Sequence, residues 1–243
     1  MNKNYSIIAV LLVLAGFFVI ADSNGKKNKK VSASPVITQT TTMYHHDDVY
    51  SLTRGDDVEG SSATITRTRA GVGIQFNTSE LPAGAYTVWL LVYNNPRECA
   101  AGDCDLPDID PGTPAVNPGA IRIGQDYISN ANGSMSITAW VPAHDAVGSE
   151  GSTLLPGSMF GSIENPMGAE FDVILKWHGK ALTAGADVDH DLLDAQLHDI
   201  QGGCFPGRSD MTPPPIELDN GFLLCPDPQG ATFSSPFAKK HKH

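Results

Sequence analysis

Apolar and polar residues alternate along much of this chain with the two-residue period of a β-strand, and no long stretch carries helical apolar spacing. One stretch departs from simple alternation. Residues 81–96 read LPAGAYTVWLLVYNNP: a Pro-Ala-Gly turn, eight residues rich in aromatic, β-branched and aliphatic side chains, then Asn94-Asn95-Pro96 as a stop. Tyr86, Val88, Leu90 and Val92 share one face, and Trp89, Leu91 and Tyr93 the other. A strand wetted on one side shows polar residues at every second position, so this one is expected in mid-sheet with material packed on both faces.

The remaining elements read as its cover. Residues 36–44 are threonine-rich and predict a first strand, followed by His45-His46-Asp47-Asp48 and a polar loop to Gly60. Residues 63–69 and 72–77 predict two more. In the second, Val72, Ile74 and Phe76 alternate with Gly73, Gln75 and Asn77, as one buried and one wet face require. A long loop is expected over 99–119 and a short strand over 121–128. Met135, Ile137, Ala139 and Val141 then alternate with Ser134, Ser136, Thr138 and Trp140. Phe171, Val173, Leu175 and Trp177 form one face of a later strand, with Glu170, Asp172, Lys176 and His178 on a face that reads as solvated. Residues 187–200 hold enough Leu and Ala for one short helix, and 222–225 and 231–234 read as closing strands.

Composition agrees with many short strands joined by turns: hydrophobic residues make up 41%, with 24 Gly and 17 Pro. The expected class is all-β, an antiparallel β-sandwich of jelly-roll or immunoglobulin-like type with long loops, occupying residues 36–237 as one domain. The start of the chain sets the compartment. Lys3, an apolar run over 7–20 and the small-residue end Val19-Ile20-Ala21 read as a signal peptide over 1–21, followed by a disordered linker over 22–35. The competing reading is an uncleaved anchor, since lysines follow at 26–30. With cleavage no membrane span is left, and the chain is expected to be secreted, periplasmic or at the cell surface.

Charge narrows the partners. The net charge is −11, and loss of Lys3 with the leader makes it −12. Such a body repels nucleic acid and anionic membranes. The basic residues of 238–243 read as a solvated tail.

Four cysteines in an exported chain point to two disulfides. The most economical pairing is Cys99–Cys104 around a short acidic loop and Cys204–Cys225 around a proline-rich excursion, one of three connectivities the sequence permits.

Taken together, AYTVWLLVYNNP over 85–96, Cys99 with Cys104, WHGKA over 177–181, Asp194-Ala195-Gln196 and GGC over 202–204 resemble a group of secreted bacterial proteins. That group carries a TVWW-type strand ending FNNP, a cysteine loop, an HGPA-like segment and a GGC, in that order. The resemblance spans residues 71–225, and departs at Leu90, where a second Trp is usual, and at Lys180, where the proline of HGPA would stand. The group has no established activity, so the resemblance implies a secreted fold and no chemistry.

Two constellations suggest chemistry. Asp187, Asp189 and Asp191 match the first three ligand positions of a calcium loop and Asp194 lies close by, but Leu192 replaces the required Gly and His198 the required Glu. The loop holding Asp103, Asp105, Asp108 and Asp110 is a second acidic cluster. His178, with His45, His46, His144, His190 and His198, is numerous enough for a copper or zinc site built from separate strands, although no pair has local ligand spacing. No nucleophile elbow or phosphate-binding glycine loop is present. Glu170 and Asp172 share a strand face but read as solvated, and the three tryptophans read as core rather than sugar-stacking residues. The expected function is therefore a non-catalytic binding or structural module for an extracellular or cell-surface protein or glycan, with calcium as a possible stabiliser. The alternative is a copper- or zinc-dependent enzyme or metal carrier. If there is a site, the sequence places it where the edge bearing Asn94, Asn95 and the cysteine loop meets His178 and residues 187–194.

Overall fold

Two antiparallel sheets share one hydrophobic core. The computed structural model describes residues 34–100, 104–129, 132–155, 157–184, 187–188, 193, 196–197, 214, 216–217 and 223–237, all within the unit Ser34–His243. The expected leader, almost all of the linker, the basic tail and most of the expected helix over 187–200 lie outside those residues. Among the described residues, no helix is long and apolar enough to cross a membrane.

In chain order the strands are β1 (Ile37–Thr41), β2 (Tyr44–His46), β3 (Arg54–Asp57), β4 (Ser62–Thr68), β5 (Gly71–Leu81), β6 (Gly84–Tyr93), β7 (Pro118–Ile128), β8 (Gly133–Pro142) and β9 (Glu170–Trp177). Four short ones follow, β10 (Thr183–Ala184), β11 (Asp187–Val188), β12 (Ile216–Glu217) and β13 (Leu223–Leu224), and then β14 (Gln229–Phe233). One sheet runs β1-β4-β5-β8 and the other β3-β2-β14-β9-β6-β7, while β10-β11 and β12-β13 are separate two-stranded pairs.

The organising strand is where the residue pattern puts it. β6 lies between β9 and β7, and all ten of its residues are buried. Its Tyr86, Val88, Leu90 and Val92 face Ile65, Ile74 and Phe76 of the four-stranded sheet in the shared core. Its other face, with Trp89, Leu91 and Tyr93, packs with Ile174 against Leu52, Leu106, Ile109, Val116 and Phe160. The loop after β6 is thus a lid on the outer face of the six-stranded sheet, pinned by the Cys99–Cys104 disulfide with a Cα separation of 5.1 Å. Asn94 fixes the rim: its side-chain amide donates to the Asn117 and Ser162 carbonyls, and its oxygen accepts from the Glu164 and Asn165 amides.

The first expected strand is in fact two. β1 belongs to the four-stranded sheet and β2 to the six-stranded one, so the chain changes sheet at Thr42 and Met43. The loop expected up to Gly60 contains β3, and the expected closing strand over 222–225 contains β13, which pairs with β12. One of the two expected disulfides, Cys99–Cys104, is closed. Cys204 lies outside the described residues, and no described cysteine is free.

Arg67 ties the sheets together. Its phase on β4, with Ala63 and Ile65, points it into the core, where it is fully buried. Its guanidinium donates to the Ala169 carbonyl at 2.6 Å, the Phe233 carbonyl at 3.1 Å and the Gln39 side chain at 2.7 Å, and stacks on Phe171 at 4.7 Å. Each partner comes from a different element, so one cation joins β1, β9 and β14.

Candidate functional site

The face of β9 expected to be solvated is buried. Glu170, Asp172, Lys176 and His178 are all buried, the first two toward the end of β6 that the lid covers and the last two toward the opposite end, where Lys176 meets Asp227 and the Gln196 side chain meets the His178 carbonyl. The six-stranded sheet therefore carries a polar layer in a dry place, where each group needs a partner.

Two chains of contacts organise that layer. Trp89 Nε1 donates to Thr87 Oγ1 at 2.8 Å, Thr87 Oγ1 lies 2.7 Å from His178 Nε2, and His178 Nδ1 lies 3.5 Å from Cys225 Sγ. Both ring nitrogens of His178 thus lie within reach of protein partners, Nε2 of the Thr87 hydroxyl and Nδ1 of the Cys225 sulfur. Further along, Tyr44 Oη bonds Thr232 Oγ1 at 2.7 Å, and Thr232 supports the Asp172 carboxyl. The Arg54 guanidinium sits over the Tyr44 ring at 4.6 Å.

Burial raises Asp172 to about 7; Thr232 and Tyr93 temper the rise, whereas Glu170 and Asp105 add to it. Lys176 Nζ lies 2.9 and 3.1 Å from the two Asp227 oxygens. Burial pushes Asp227 up and the lysine draws it back. His46 Nδ1 donates to the Asp227 backbone carbonyl at 2.6 Å, and burial holds its imidazole below the ordinary range, hence neutral. Four buried polar atoms on this face lack hydrogen-bond geometry to any group: His46 Nε2, Tyr93 Oη, Asp172 Oδ1 and Asp227 Oδ1.

This layer seats on Gly230. A Cβ there would stand 2.6 Å from His46 Nε2 and 3.1 Å from the Val173 carbonyl oxygen, and the backbone oxygen cannot yield. Gly230→Ala is expected to cost about 2 kcal/mol or more. That appears as a fall of several degrees in the thermal midpoint, partly recovered by adding His46→Ala. An unchanged midpoint would show that β2 does not rest on this glycine.

Most of the expected cation ligands lie outside the described residues. Asp189, Asp191 and Asp194 lie outside the described residues, and Asp187 is described only as backbone, paired to Ala184 in the β10–β11 pair. Among the described residues no three His, Cys, Asp or Glu side chains come together as a metal site. In the lid, Asp105, Asp108 and Asp110 accept from backbone amides of Leu106, Ala100, Asp105 and Gly112, so they hold the loop's own turns. The expected meeting of the Asn94 edge with His178 does not occur. Tyr93 pairs with Glu170 and the His178 amide bonds Ala85, which puts the two at opposite ends of β6, roughly 30 Å apart along the strand.

The four-stranded sheet presents the opposite chemistry. Its outward positions form rows across the strands: Thr40, Thr64, Gln75 and Thr138 in one, and Thr38, Thr66, Gly73 and Trp140 in the next. The threonine pairs Thr38–Thr66 and Thr40–Thr64 join their hydroxyls. No charged side chain stands on the outward positions of the paired stretches. Trp140, expected in the core, is 53% exposed, whereas Trp89 and Trp177 are buried. Beside it, Ser62, Thr64, Gln75, Asn77, Ser136 and Thr138 line a depression of about 300 Å³. The alternation around 134–141 already pointed Trp140 outward; preference for burying a large aromatic overrode that signal.

These features define an all-β protein of two antiparallel sheets, with one outer face closed over ionisable groups and the other open, neutral and hydroxyl-rich. Comparison with known proteins finds no matching family model, no matching curated protein and no matching solved structure.

Proposed function

We propose that this chain is an exported, non-catalytic β-sandwich module that binds an extracellular polymer through the outer face of its four-stranded sheet. The observation that carries the reading is Trp140, half exposed on a rigid sheet and surrounded by uncharged polar side chains. Large apolar rings held in solvent on regular structure are a recurrent feature of recognition surfaces. The ionisable groups best suited to acid-base chemistry lie instead buried in the six-stranded sheet and its cover, which supports a structural role for them.

Co-sedimentation tests the reading. The purified protein is mixed with cellulose, chitin, calcium-pectate gel and collagen fibres, and the pellets are assayed. Retention by at least one, with no release of soluble fragments, is expected; recovery wholly in every supernatant counts against a binding module. The same proposal pairs Cys204 with Cys225. Non-reducing peptide mapping is expected to yield that peptide pair beside Cys99–Cys104, and a crossed pair rejects it.

A further inference from the structure

We infer that the ligand of this face is a neutral polysaccharide, with Trp140 stacking on one sugar ring and the rows of hydroxyl and amide side chains holding its neighbours. The inference rests on the binding-module reading and adds the chemical class of the ligand.

Three observations converge on it. The first is how the indole is held. A Cβ on Gly73 would stand 3.6 and 3.9 Å from Trp140 Cε3 and Cζ3, and one on Gly71 would stand 3.0 Å from Cζ2. The ring therefore lies over two residues that have no side chain, one face bedded on the sheet and the other open. A ring fixed this way offers a flat apolar surface with little entropy left to lose on binding. Flat apolar surface matched to a flat C–H face is what one side of a pyranose ring presents.

The second is the chemistry of the neighbours. Thr138 and Gln75 continue the adjacent row, and Asn77 and Ser136 the row beyond. Hydroxyls and amides both donate and accept, as sugar hydroxyls do, so each can pair with either partner of a sugar hydrogen bond. The rows follow neighbouring strands about 4.8 Å apart, a repeat suited to a ligand of repeating units lying across the strands. A protein partner would call for more apolar surface than one indole.

The third is charge. The chain carries 27 acidic and 16 basic residues, yet none of either stands on the outward positions of this sheet's paired stretches; Glu80 lies at the break in the β5–β8 pairing and Arg69 in the β4–β5 turn. An anionic glycan would meet a body of net charge −11 with no cation on the face to receive it. A neutral chain pays no such penalty.

The test uses the full chain with cellohexaose, chitohexaose, xylohexaose and laminarihexaose, followed by tryptophan fluorescence. Trp89 and Trp177 are buried, so a ligand-induced change reports Trp140. At least one of the four is expected to bind and shift the emission. Trp140→Ala is expected to abolish the shift and, in calorimetry, to weaken binding at least tenfold, with the variant still folded as judged by a cooperative thermal transition. Trp140→Tyr, which keeps a ring, is expected to retain part of the affinity, and Gln75→Ala to lose a few-fold. The inference is overturned if none of the four binds, if Trp140→Ala binds as well as wild type, or if Trp140 instead mediates self-association, seen as a dimer that Trp140→Ala dissolves. Retention by pectate or collagen alone overturns the neutral-glycan inference while the binding module stands. No retention by any polymer or oligosaccharide removes both.

Discussion

Arg67→Lys is expected to destabilise the protein by about 3 kcal/mol, read as a lower urea midpoint followed by fluorescence of the buried tryptophans. The guanidinium serves acceptors from β1, from Ala169 just before β9 and from β14 in divergent directions and stacks on Phe171 of β9. An ammonium on a narrower stem reaches fewer of them and loses the planar stack. The carbonyls of Ala169 and Phe233 then stay buried without a donor, which is the costly outcome. Burial lowers the Arg67 pKa to about 10, and Glu170 opposes the fall, so the group stays charged at neutral pH. Arg67→Met removes every donor and is expected to cost at least as much. A wild-type midpoint for Arg67→Lys would show that the fork geometry contributes nothing.

Asp172→Asn is expected to stabilise the protein at pH 8 and to do so much less at pH 5. Raised to about 7 by burial, Asp172 keeps its proton in the folded chain over a range where an unfolded aspartate has already released it near pH 4. Between those values the folded state binds more protons than the unfolded state. Stability from this group therefore falls as pH rises from about 4 to about 7, and is level above that. The span corresponds to about 4 kcal/mol. Asparagine resembles the protonated form and removes the loss. His46, held low by burial, acts in the opposite sense: below about pH 6.5 the unfolded imidazole gains a proton that the folded one refuses. Asp227 is also raised. Both are present in wild type and variant alike, so the difference between their pH–stability curves isolates Asp172. Parallel curves from pH 5 to pH 8 would show that Asp172 is ionised throughout.

The glycan inference and the buried layer belong to opposite outer faces, and their tests are independent. Trp140→Ala should alter binding without altering the pH–stability curve, and Asp172→Asn the reverse. Any cross-effect would mean that the two sheets communicate through the core shared by Ile74, Phe76, Val88 and Val173.

Period-two alternation was enough to find β4, β5, β8 and β9, because side-chain direction in a strand depends only on neighbours in sequence. The doubly apolar run of β6 likewise implied its central place. Sequence also supplied the local Cys99–Cys104 pair. It missed the split into β1 and β2, because a change of sheet within one extended stretch leaves the residue pattern intact. It misjudged Glu170, Asp172 and Lys176, since polar residues opposite an apolar face look the same whether water or a lid covers them. Only the packing of distant segments on the outer face decides between the two, the lid's Leu106 and Ile109 at one end and Asp227 against Lys176 at the other.

What the sequence determined alone is the all-β class and the phase of each main strand, a phase that set Trp140 opposite Met135, Ile137 and Val141 even though its size had suggested the core. What the tertiary structure decided is which outward faces meet solvent. Facing outward is a property of one strand, whereas exposure depends on whether a segment distant in the chain has apolar surface to bury there. The lid has Leu106, Ile109 and Val116 to bury on the six-stranded sheet. The rows beside Trp140 offer mainly hydroxyls and amides, so that face stays open.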